Sequence, residues 1–147
     1  MSATGVDVFD RTLHKTNAWL SDLMDVLGSP DRHAAYLALR ATLHALRDRL
    51  PVEEVADFGA QLPMLVRGFY YEGWDPTAKP VKLRRKEEFL ARIEQEMRSD
   101  DTYDAERVAR AVFTVLAARV TEGEIEDVQH VLPAEVRSCG RDATAVS

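Results

Sequence analysis

Leu62-Pro63-Met64-Leu65-Val66-Arg67 returns seventy residues later, without a gap, as Leu132-Pro133-Ala134-Glu135-Val136-Arg137. The same offset carries Leu13 onto Leu83, Leu20 onto Leu90, Arg40-Ala41 onto Arg110-Ala111 and Leu46 onto Leu116. Between 11–67 and 81–137, 15 positions are identical, and others are like for like, such as Trp19/Phe89, Leu43/Phe113 and Val55/Ile125. A fixed period of this kind sets the architecture before any local reading does, because one packing unit is used twice. The expectation is a single domain over 1–147, with repeat one over about 8–74, a linker at 75–80, repeat two over about 81–140 and a polar tail at 141–147.

Each copy reads as helix. Phe9, Leu13, Thr16, Leu20, Leu23 and Leu27 recur at steps of three and four, one stripe of an amphipathic helix. Gly28-Ser29-Pro30 stops it, and Ser29 or Asp31 can cap the next helix. Tyr36, Leu39, Leu43, Leu46 and Leu50 form a second stripe. Pro51 followed by Val52-Glu53-Glu54 is a helix start, and Thr121-Glu122-Gly123-Glu124 is its capping-box counterpart. Leu62-Pro63 closes a third helix and opens a fourth, since a residue before proline avoids the α region. Strand signals are absent, so the expected fold is an all-α helical bundle of two pseudo-symmetric repeats, each of about four helices.

Composition narrows the function classes. The 147 residues are 46% hydrophobic and 30% charged, the profile of a folded chain with room for one sizeable core. A net charge of −6 argues against a dedicated nucleic-acid binder, which carries a basic footprint. No apolar run approaches the roughly 18 residues of a membrane span. The opening Met1-Ser2-Ala3-Thr4-Gly5 lacks a signal-peptide pattern, and one cysteine, Cys139, excludes an internal disulfide framework. The expected setting is the cytoplasm of a bacterial cell.

One segment has no counterpart in the second copy. Gly68-Phe69-Tyr70-Tyr71-Glu72-Gly73-Trp74 puts four of the chain's 11 aromatics into six residues. Its plain reading is packing between the repeats. Its sharper reading is a patch for a partner or small ligand, with Phe69, Tyr70, Tyr71, Trp74 and neighbouring Arg67 as the candidate residues.

Charges retained in both copies form a second set of candidates. Glu54 and Asp57 share a helix face, as do Glu124 and Asp127. Arg67 and Arg137 follow the Leu-Pro corners and could fold back onto those carboxylates as a structural ion-pair clamp. The functional alternative is a pair of equivalent acidic or anion-binding sites. Lys79, Lys82, Arg84, Arg85 and Lys86 make a basic opening to the fifth helix, followed by Glu87-Glu88, which reads as a solvated face.

His14, His33, His44 and His130 have no metal-ligand spacing, so no metal site is expected. Phosphate-cradling glycine loops are missing and no cofactor is implied. Linear spacing assembles no nucleophile–base or acid–base constellation either, so no catalytic residue is assigned.

Two long phrases carry a resemblance. Ala38-Leu39-Arg40-Ala41-Thr42-Leu43-His44-Ala45-Leu46-Arg47-Asp48-Arg49-Leu50-Pro51 and Gln61-Leu62-Pro63-Met64-Leu65-Val66-Arg67-Gly68-Phe69-Tyr70-Tyr71-Glu72-Gly73-Trp74 closely resemble the bacterial family catalogued as domain of unknown function 2267. Gly123-Glu124-Ile125-Glu126-Asp127-Val128 and Leu132-Pro133 extend the likeness to roughly residues 8–137. The resemblance implies a small helical protein and transfers no activity. That family follows the second Leu-Pro phrase with a hydrophobic residue and tryptophan, where this chain has Ser138-Cys139-Gly140.

The expectation for function is a non-enzymatic interaction module that binds another protein or itself. The alternative is a small-ligand or metal-binding protein with a pocket between the repeats.

Overall fold

The computed structural model describes residues 3–77, 85–97 and 104–131, and every regular element within them is an α-helix. These are α1 (Asp7–Leu27), α2 (Arg32–Arg49), α3 (Val52–Ala60), α4 (Met64–Tyr71), α5 (Lys86–Met97), α6 (Ala105–Arg119) and α7 (Glu122–Val131). The second Leu-Pro corner, Arg137, Cys139, the polar tail and most of the basic opening of repeat two lie outside the described residues.

The stops and starts work as the side chains dictate. Gly28 takes φ 67, open to a residue without Cβ, and ends α1 with Ser29 N–H bonded to Met24 O at 3.0 Å. Asp31 then caps α2, its carboxylate accepting from the N–H groups of His33 (3.0 Å) and Ala34 (3.2 Å). Asp31→Ala is expected to cost about 1 kcal/mol of stability, read from the urea midpoint at unchanged slope. Pro51 precedes α3, and Pro63 precedes α4. At α7 the capping box is half formed. Thr121 Oγ1 accepts from Glu124 N–H (3.4 Å), while the Glu124 carboxyl is engaged with Glu54 instead.

α2 is the hub. It packs on α1, α4, α5 and α6, and seven consecutive residues, Ala41–Arg47, are buried. A helix covered on every side must be apolar nearly all round, and Ala41, Leu43, Ala45 and Leu46 meet that demand. Leu23, Leu39, Phe58, Phe89, Ile93 and Leu116 close the core around it from α1, α2, α3, α5 and α6. Burying each such side chain contributes about 1.5–3 kcal/mol. Elsewhere α1 runs against α6 and α3 meets α7.

The first stripe departs from its expected position. Trp19, Leu20, Leu23 and Leu27 are buried, but Phe9 and Leu13 are 49% and 37% exposed, and Thr12 takes the inward place beside them. The reason is local. α4 meets α1 at Thr12, whose Oγ1 accepts from Leu65 N–H at 2.9 Å, and the apolar stripe passes to one side of that contact.

Candidate functional site

The aromatic segment divides. Tyr70 is fully buried, its hydroxyl donating to Val55 O at 2.9 Å, and its ring meets Phe58 and Tyr71 edge-on at 5.7 and 4.9 Å. Tyr71 in turn packs on Trp74 at 5.4 Å. The absent side chain of Gly59 makes room for them. A Cβ there would stand 2.5 Å from the Tyr71 hydroxyl. Tyr70, Tyr71 and Trp74 thus form a ladder that seats α4 on α3, with Tyr71 and Trp74 half-buried against the core. Tyr70 therefore belongs to the core and not to the open patch considered from sequence. Phe69 faces elsewhere, edge-on to Tyr36 at 5.3 Å.

Arg67 fixes the α3–α4 corner, but not through carboxylates. Its guanidinium donates to the carbonyls of Gly59 (2.9 Å), Ala60 (3.4 Å) and Leu62 (2.9 Å). The Leu62-Pro63 turn strands the last carbonyls of α3, and a cation one turn into α4 is placed to take them. The acidic residues point the other way, where α3 meets α7. There Glu54 and Glu124 face each other, with Asp57 and Asp127 close by. Glu54 Oε2 and Glu124 Oε1 are buried atoms without a donor. Burial first, then the charges of Glu54, Asp57 and Asp127, push the Glu124 carboxyl up to about 7. Burial and the neighbouring Asp127 and Asp57 raise Glu54 as well. Two carboxyls in contact with no cation between them fit a pair that shares a proton. The expected clamp is therefore corrected to a carbonyl cap at Arg67 and an acid–acid contact across α3 and α7; Arg137 is outside the described residues.

The densest polar cluster joins α2, α4 and α5. His44, 3% exposed, brings Nδ1 to 2.5 Å from Glu96 Oε1 and Nε2 to 2.6 Å from Phe69 O. The Glu96 carboxylate and the Phe69 carbonyl are both acceptors, so each ring nitrogen faces a group that takes a hydrogen bond. Arg40 spans Glu96 (2.6 Å) and Glu72 (2.5 Å), and Arg92 spans Glu96 (3.3 Å) and Asp48 (3.0 Å). Arg47, 3% exposed, donates to Tyr70 O (2.8 Å), Glu72 O (2.9 Å) and Asp48. Burial alone would raise the Glu96 carboxyl, but the His44 hydrogen bond and the charges of His44, Arg40 and Arg92 hold it below its ordinary value. A cavity of about 670 Å³ opens beside these residues.

The third feature is apolar. Of eight large hydrophobic residues left exposed among the described residues, five (Val8, Phe9, Leu13, Met64 and Leu65) fall in the first half of α1 and the start of α4, and Val6 immediately precedes α1. These segments touch at Thr12 and Leu65, with Leu13 and Leu65 on one flank of α1 and Val8 and Met64 on the other. Beside it a groove of about 470 Å³ is walled by Leu13, Leu20, Tyr36, Leu65 and Phe69, with Arg32 and His33 on its rim.

Sequence reasoning missed the roles of His44, Glu96 and Glu72, and it read Phe9 and Leu13 as one stripe with Leu20, Leu23 and Leu27, of which only the later residues are buried. One signal for His44 was present, a polar residue inside a run (Ala41–Leu46) with no solvent face. Among the described residues no group of three or more His, Cys, Asp or Glu is arranged to hold a metal, and no helix is long and apolar enough to cross a membrane. No curated protein matches the chain. The family described as "Uncharacterized conserved protein (DUF2267)" matches residues 16–139, a span that runs from the buried half of α1 past both Leu-Pro corners. The long phrases around Arg40 and Arg67 and this match agree: the chain belongs to the DUF2267 family.

Proposed function

We propose that this protein is a non-enzymatic interaction module, built from two helical repeats, that docks a protein partner on the apolar surface shared by α1 and α4. The observation that carries the reading is the groove in which exposed Leu13 and Leu65 meet Leu20, Tyr36 and Phe69. An apolar stripe that continues along α1 past the last residue able to bury it leaves surface that only a partner removes from water. Phe69 and Tyr36 give the groove rigid aromatic walls, the usual anchors of an interface. The two-repeat arrangement draws support from the contacts. α2 of the first copy packs on α5 of the second, α6 of the second packs on α1 of the first, and α3 meets its counterpart α7.

A ligand pocket between the repeats is the weaker reading. The α2–α5 cavity has the polar walls for it, but its arginines, His44 and carboxylates already satisfy one another.

Light scattering over a wide concentration range distinguishes the partners. Self-association abolished by Leu13→Glu with Leu65→Glu identifies a second copy as the occupant. If the chain stays monomeric, a photo-crosslinking residue at position 13 in the producing cell should give adducts that are absent with the same residue at solvent-facing position 94 and lost in the Leu65→Glu background. A monomer without such site-dependent adducts overturns the proposal.

A further inference from the structure

On the other flank of α1 lies a cavity of about 550 Å³ between α1, the α3–α4 corner and the C-terminal end of α6. Four cations line it (Arg11, Lys15, Arg67 and Arg119) and no carboxylate does. In a chain of net charge −6 this concentration of one sign is a local inversion. The acidic partners of the two paired arginines stand outside the lining: Arg11 meets Asp7 at 2.7 Å and Arg119 meets Asp22 at 2.6 Å. Lys15 has no ion-pair partner among the described residues. Pro63 and Met64, where α4 begins, form part of the wall, and the first-turn N–H of Leu65 there is already bonded to Thr12 Oγ1. Trp19, Leu62 and Met64 supply an apolar side to the same space.

We infer that this cavity binds a small organic anion, a phosphomonoester with an apolar or aromatic body, between the cations of α1 and α6 and the apolar wall of Trp19, Leu62 and Met64. A dianion suits the site better than a monocarboxylate, because several positive groups converge and Arg67 is already committed to the α3 carbonyls. The cations are solvent-accessible, so the attraction is screened and binding weakens as salt rises. Volume favours the organic body: a bare phosphate fills only a fraction of about 550 Å³. The inference is independent of the docking surface, since Lys15 and Leu13 line different cavities.

Phenyl phosphate is the probe, titrated at low ionic strength into the isotope-labelled full chain and followed by amide and indole shifts. Saturable shifts are expected at Lys15, Trp19 and Met64, with dissociation in the millimolar range or below. Inorganic phosphate should move the same signals at least threefold more weakly, and benzyl alcohol should not saturate. Lys15→Met is expected to weaken phenyl phosphate at least fivefold, and Arg85→Met, an exposed charge on another element, to leave it unchanged. Absence of saturation overturns the site, as do shifts spread over the surface, equal binding by phosphate and phenyl phosphate, or indifference to Lys15→Met. If Lys15→Met alters the unliganded spectrum broadly, Lys15→Gln replaces it under the same criteria.

Discussion

Glu96→Ala is expected to lower the unfolding free energy by about 3 kcal/mol, the lower end of the range for breaking a buried ion pair. The carboxylate serves His44, Arg40 and Arg92 at once. Arg40 keeps Glu72 and Arg92 keeps Asp48 when Glu96 is gone, but His44 is left with a buried Nδ1–H and no acceptor. Its side chain is 4% exposed, so water cannot replace the lost partner without opening the α2–α5 contact. Glu96→Gln should cost less, because an amide oxygen still accepts from Nδ1–H while the charge is lost. The coupling in a cycle with His44→Ala should exceed about 1 kcal/mol, as for groups sharing one network. Denaturant unfolding of the four proteins measures it. A Glu96→Ala protein within about 0.5 kcal/mol of the parent, the range of ordinary surface substitutions, would show that the cluster holds nothing together. The pH response has a definite direction. Glu96 titrates below its ordinary value, so its contribution is complete above about pH 4.5 and fades as pH falls through the lowered value.

The helices and their punctuation were legible because they rest on short-range chemistry. Gly28, Asp31, Pro51 and Pro63 act on the backbone within a turn of themselves, and each stops, caps or starts a helix where the sequence places it. The candidate sites were less legible because their partners are distant. Glu96 meets His44 across 52 residues of sequence, and no spacing rule links them. Arg67 was correctly placed at the α3–α4 corner, but linear reasoning offered it the nearest acids and overlooked the carbonyls that any helix end must satisfy. Phe9 and Leu13 show the limit of periodicity. A helical stripe reports which side chains share a face, and neighbouring helices decide how far along that face the cover extends.

Stability is expected to fall as pH rises from about 4.5 toward 7, by about 1–2 kcal/mol from the Glu54–Glu124 contact. Glu124 holds its proton up to about 7 in the folded protein, against an ordinary 4.5 in the unfolded chain. Between those values the folded state binds more protons, so each step toward alkaline pH favours unfolding. The full shift corresponds to about 3 kcal/mol, reduced here because both side chains remain partly in contact with solvent, which screens their repulsion. Asp57 and Asp127 oppose the ionisation of both carboxyls further, and Glu53 that of Glu54. Glu124→Gln removes the titrating group and leaves an amide that can donate to Glu54. It should stabilise the protein at pH 8 by about 1–2 kcal/mol and give little gain at pH 4, where the parent pair is already protonated. Taking the difference between parent and variant cancels the groups common to both. A difference that stays flat from pH 5 to 8 would mean that the carboxyls do not share a proton. A gain that rises through this interval and is reproduced by Glu54→Gln would place the shared proton between α3 and α7.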